Sequence, residues 1–115
     1  MMEDTVKDML AYWLPKLGLQ SWGVKVEFVT RRDIDGVACA YIKAGLERVT
    51  IKLSRREDRD ENSDPVELDL LHELVHVRFW AIDPQNADGV LHDCREAAVE
   101  WTARALYAAR YEGAA

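Results

Sequence analysis

Asp64-Pro65-Val66-Glu67-Leu68-Asp69-Leu70-Leu71-His72-Glu73-Leu74-Val75-His76-Val77-Arg78-Phe79-Trp80-Ala81 opens with a helix start and then repeats apolar residues at helical spacing. Asp64 offers a cap, Pro65 a first helical residue whose missing N–H costs nothing, and Glu67 an acid in the first turn. Val66, Leu70, Leu74, Val77 and Ala81 then form one apolar stripe, predicting a core-facing helix that runs to about Ala81 and is stopped by Asp83-Pro84. His72 and His76 fall on a different face. At 3.6 residues per turn they stand about 40° apart around the axis and one turn apart along it. Both imidazoles can therefore reach one point, with Glu73 on the adjoining face.

N-terminal to this helix, Glu3 to Leu17 places Val6, Met9, Leu10, Trp13, Leu14 and Leu17 at helical period, and Gly18 ends the run. From Trp22 to Val29 the pattern changes to alternation, with Val24, Val26 and Phe28 on one side and Lys25 and Glu27 on the other. That is a half-buried strand. Asp35-Gly36 marks a turn. Val37 to Lys43 and Val49 to Ser54 read as two more strands joined at Ala44-Gly45, and three strands linked this tightly predict an antiparallel meander. Ser54 to Ser63 is polar throughout and predicts a mobile surface loop. C-terminal to the central helix, Gln85 to Gly89 is loop, and a last helix is expected from about Leu91 to Arg110. Its stripe of Ala97, Trp101 and Ala105 is expected to face the core. Trp13 and Trp101 are expected to be core residues, and Trp80, one turn beyond His76, to lie near the histidines.

The 115 residues, 49% apolar and 31% charged, suit one globular α+β domain spanning 1–115. A net charge of −6 argues against a nucleic-acid partner, because phosphate binding needs a concentrated basic face and Arg55-Arg56 with Arg59 is interleaved with acids. The first apolar run is broken by Lys7, Asp8, Pro15 and Lys16, which excludes a membrane span or signal peptide there. Cys39 and Cys94 lack metal-type spacing and read as reduced packing residues, fitting a cytoplasmic location.

Two imidazoles four residues apart on a helix suit a zinc ion that takes a third protein ligand and keeps one position for water. Glu73 can take that water's proton as general base. The last helix offers Glu96 and Glu100, four apart on one face. Glu96 is the expected third metal ligand, with Glu100 accepting the outer N–H of one histidine. The bland alternative pairs both glutamates with Arg95 and Arg104 as surface charges. His92, sixteen residues after His76, is the alternative third ligand, but it is expected at the start of the helix, before the turn that would face the site.

The H-E-x-x-H sequence followed about twenty residues later by Glu96, with a further acid one turn on at Glu100, resembles the gluzincin metallopeptidases. The whole chain is similar to the minigluzincins and the zincin-like proteins of phages. This resemblance implies a minimal zincin-like fold: an N-terminal helix, a three-stranded mainly antiparallel sheet, the H-E-x-x-H helix and a C-terminal helix. It implies one catalytic zinc, a peptide or protein substrate lying along an edge strand, and peptide-bond hydrolysis by zinc-activated water with Glu73 as base. The group that steadies the oxyanion has no motif to carry it over; His92, Tyr107 and Tyr111 are candidates by residue type. Two rival readings remain: a non-catalytic module in which zinc ties two helices together, and a dedicated regulator that cleaves a single partner protein.

Overall fold

The computed structural model describes residues 2–30, 38–80 and 89–112. A first helix, α1 (Met2–Lys16), leads to strand β1 (Gly23–Val29), strands β2 (Ala38–Lys43) and β3 (Arg48–Ser54), then helices α2 (Val66–Arg78) and α3 (Gly89–Tyr111). The α+β architecture is that expected from the sequence. The turn at Asp35-Gly36, Val37, Ala81, the stop at Asp83-Pro84 and Gln85 to Asp88 lie outside the described residues.

Gly18 ends α1 as the periodicity predicts. Its φ of +71° is the left-handed conformation that a residue without Cβ adopts without strain. The amides of Leu19 and Gly18 turn back onto the carbonyls of Leu14 and Pro15 at 2.8 and 3.2 Å, satisfying the last turn.

The sheet departs from the expected meander. Its order is β1-β3-β2, with β3 parallel to β1 and antiparallel to β2. Adjacent antiparallel pairing of β1 with β2 is replaced by insertion of β3 between them. The physical reason lies in β3 itself: Val49, Ile51 and Leu53 are 2%, 0% and 0% exposed, so the strand with the most continuous apolar face takes the centre. Val24, Val26 and Phe28 align with them on one side, and Ile42, Ala40 and Ala38 on the other. The helices cover this face. Among the described residues β2 pairs with β3 alone and lies at a sheet edge.

α2 is more enclosed than a single stripe would make it. Leu70, Leu74 and Val77 are buried as expected, but so are Leu68, Leu71 and Val75, together with Glu67, Asp69 and Glu73. Its start also shifts by one residue: Pro65 is the N-cap, without a side-chain cap, and Asp64 instead accepts a hydrogen bond from Arg104 at 3.0 Å. The helix ends at Arg78 with Phe79 as C-cap, while α3 begins at Gly89, two residues before the expected start.

Two further expectations are overturned. The segment from Ser54 to Ser63 is not wholly a surface loop, because Ser54 is fully buried and the Arg59 side chain, 8% exposed, turns inward. It donates to Asp69 Oδ2 at 2.7 Å and to the Ser54 carbonyl at 3.0 Å. The chain supplies a buried acid on α2, and a polar segment closes over it. On α3, Val99 and Ala103 face the core, whereas Trp101 is 72% exposed, Ala105 is exposed and Ala97 half-buried, so their stripe is not the core face. Trp13, by contrast, is 2% exposed as expected.

Candidate metal centre

α2 and α3 bring together the three side chains singled out in the sequence. The His72 and His76 rings lie edge to face with centroids 5.0 Å apart, half-buried one turn apart on α2. From α3, Glu96 Oε2 stands 3.8 Å from Nε2 of His72 and 3.5 Å from Nε2 of His76. One donor atom from each of the three lies within 4.8 Å of the other two. A tetrahedral ion with bonds of about 2 Å holds its donors about 3.3 Å apart. Side-chain adjustments on the order of 1 Å would therefore close the set, and the donor chemistry, two imidazoles and one carboxylate, fits zinc or a similar divalent ion.

Glu100 sits on the far side of His72. Its Oε1 is 3.5 Å from His72 Nδ1, the nitrogen that does not face Glu96, and 3.3 Å from Arg104 Nε. The expected histidine contact and the surface pairing with Arg104 thus coexist. Arg104 reaches on to Asp64, tying α3 to the approach of α2.

Glu73 is 8% exposed, and among the described residues no hydrogen bond or ion pair reaches its carboxylate. Burial, then the nearby charges of Glu96 and Asp69, push its carboxyl up to about 8. This is a carboxyl poised to exchange a proton near neutrality. Asp69 lies one turn before Glu73 on α2. Its own carboxyl is raised by burial against the opposing pull of Arg59.

A cleft of about 360 Å³ opens over these groups, lined on one side by β2 and on the other by His72, Glu73, His76, Trp80, Arg95 and Glu96. Trp80 is therefore where the sequence placed it. A smaller cavity of about 170 Å³ adjoins His72, Glu73 and Glu100 on the side of Asp64 and Asp69. His92, Tyr107 and Tyr111 do not line the cleft. His92 is exposed and accepts from Arg95 Nη2 at 2.9 Å. The Tyr107 ring packs at a tilt against that of Tyr111, and the Tyr111 hydroxyl donates to Glu67.

Sequence reasoning missed Arg95 as a cleft residue and Arg59 as the partner of Asp69. Arg95 could have been found from its position beside Glu96 near the mouth of the same helix contact. Nothing in the sequence signals that Arg59 turns inward. Of the cysteines, Cys39 lines the cleft from β2, while Cys94 is exposed and does not pack in the core.

No helix of the described residues is long and apolar enough to cross a membrane. Comparison with protein families, with curated proteins and with solved structures found no match, so the likeness to zincins rests on the motif and on the convergence of His72, His76 and Glu96.

Proposed function

We propose that this chain is a zinc-dependent peptidase in which His72, His76 and Glu96 hold one metal ion and Glu73 is the general base. The observation that carries this reading is the meeting of one ring nitrogen from each histidine and one carboxylate oxygen within 4.8 Å, in a cleft that also contains a buried glutamate and a sheet edge. A zinc ion bound there would act as Lewis acid toward water and the scissile carbonyl. Glu73 would take the proton of the attacking water and return it to the departing amine. Glu100, with Oε1 3.5 Å from Nδ1 of His72, would accept that N–H and so fix the tautomer that turns Nε2 toward the cleft. β2, unpaired on its outer side among the described residues, can align an extended peptide through backbone hydrogen bonds. Arg95, a cation lining the cleft, can hold a substrate carbonyl or carboxylate.

The test has two arms. Metal content of the purified protein should approach one zinc per chain and fall in His72→Ala and Glu96→Ala. Zinc-loaded protein should cleave an unfolded protein or a peptide library, whereas Glu73→Gln should keep its metal and lose turnover. Equal cleavage by wild type and Glu73→Gln would overturn the assignment.

One observation favours a second reading. The three candidate ligands join α2 to α3, so a bound metal would also clamp the two helices and could serve a non-catalytic binding module. That reading expects a large drop in melting temperature on chelation and no product from any substrate.

A further inference from the structure

α3 carries a second apolar face that the fold leaves in water. Val90, Cys94, Ala97, Trp101 and Ala105 lie within about 40° of one line along the helix, opposite the core face of Val99 and Ala103. Val90 is 77% exposed, Trp101 72% and, on the flank of this line, Leu91 62%. A solvent-facing helix side ordinarily carries charges. Here Asp93 and Arg104 are the charges that border the stripe, both on the same flank.

We infer that this face joins two copies of the chain through an antiparallel α3–α3 contact centred near Ala97 and Ala98. The pattern is self-complementary in that arrangement. Trp101 of one copy falls over Cys94, Ala97 and Ala98 of the other, where small side chains leave a hollow for an indole. Parallel pairing would instead set Trp101 against Trp101 and leave both hollows empty. The same antiparallel axis places Asp93 of each copy beside Arg104 of its partner, because a two-fold axis keeps residues of one flank on one side. Arg104 is half-exposed and keeps N–H groups for this contact besides those given to Asp64 and Glu100.

The size of the face sets the strength. Its apolar side chains offer roughly 500 Å² per copy, so pairing buries roughly 1,000 Å² in all, the lower bound for a specific interface. An interface at this lower bound of size is expected to be reversible.

Sedimentation velocity over a concentration series from low micromolar to millimolar tests this on the intact chain. Wild type should pass from one to two copies, and Trp101→Glu should weaken association about 30-fold or more. Trp101 is exposed, so neither this variant nor Trp101→Ala opens the core, and circular dichroism should be unchanged. Asp93→Arg and Arg104→Asp should each weaken the dimer, and the double variant should restore it. A wild type that stays monomeric throughout, a dimer indifferent to Trp101→Glu, or a double variant no better than its parents would each overturn the inference.

Discussion

Helix α2 buries two glutamates in opposite ways. Glu67, in its first turn, is 6% exposed and accepts from Trp13 Nε1 at 2.7 Å, from Arg110 at 2.6 Å and from the Tyr111 hydroxyl. Three donors from α1 and α3 thus converge on one carboxylate, and Arg110 also lies over the Tyr12 ring at 3.8 Å. Glu73, under two turns further on, is buried to the same degree without such donors, among other acids, and its carboxyl is pushed up to about 8. Burial by itself does not make a glutamate reactive. A satisfied carboxylate is a structural tie, whereas an unsatisfied one beside a cleft keeps a proton available for exchange.

Glu73→Gln should lower turnover about 10²–10⁴-fold in a peptide-cleavage assay, while urea unfolding of the metal-free protein stays close to wild type, because Gln resembles the protonated acid. Glu67→Ala should do the reverse. It strands the buried Trp13 N–H and the half-buried Arg110, besides the exposed Tyr111 hydroxyl, so equilibrium unfolding should show a loss of about 3 kcal/mol, with metal content retained. If Glu67→Ala proved as stable as wild type, the contrast between the two positions would vanish.

Arg59→Ala should cost about 2 kcal/mol in the same unfolding measurement, less than a wholly broken buried pair, because Asp69 can shed its charge by protonation. Tyr111→Phe should cost about 1 kcal/mol. The Tyr111 phenol itself is pushed up to about 12, first by the hydrogen bond to Glu67 and then by burial. The folded state therefore favours the neutral phenol. Its stabilisation is complete below pH 10 and is lost as pH rises through about 12. Tyr41 and Tyr107 are also raised, so ultraviolet titration should show a late-ionising group of tyrosines with Tyr111 the last, and Glu67→Ala should return Tyr111 toward an ordinary value.

How far these features could be read in the sequence follows from the range of the interactions that create them. His72, Glu73 and His76 are local to one helical turn, so their shared placement was legible from spacing alone. Glu96 was legible because a second helix had to meet the first and offered one acidic face. The end of α1 at Gly18 and the buried Trp13 were equally local. Strand order was not, since the links of the sheet permit β3 either beside β2 alone or between β1 and β2, and only packing of Val49, Ile51 and Leu53 against α2 separates them. Trp101 misled for a related reason. α3 has two apolar faces, one with Val99 and Ala103 and one with Ala97, Trp101 and Ala105, and periodicity cannot say which of them the core claims. Arg59 and Glu67 depend on partners ten and forty-three residues away, which no local pattern encodes.

The position of β2 at the rim of the sheet has a consequence for what the cleft can accept. Its outward amides and carbonyls form a template six residues long that only a stretched backbone can match. A helix or a compact surface presents no complementary row. On the proposed reading, selection would begin with chain conformation ahead of side-chain identity: segments already unravelled, or tails that never folded, would dock, and intact globular neighbours would pass untouched. The same open rim invites stray pairing between molecules, and its shortness and the terminal charge of Lys43 limit that hazard.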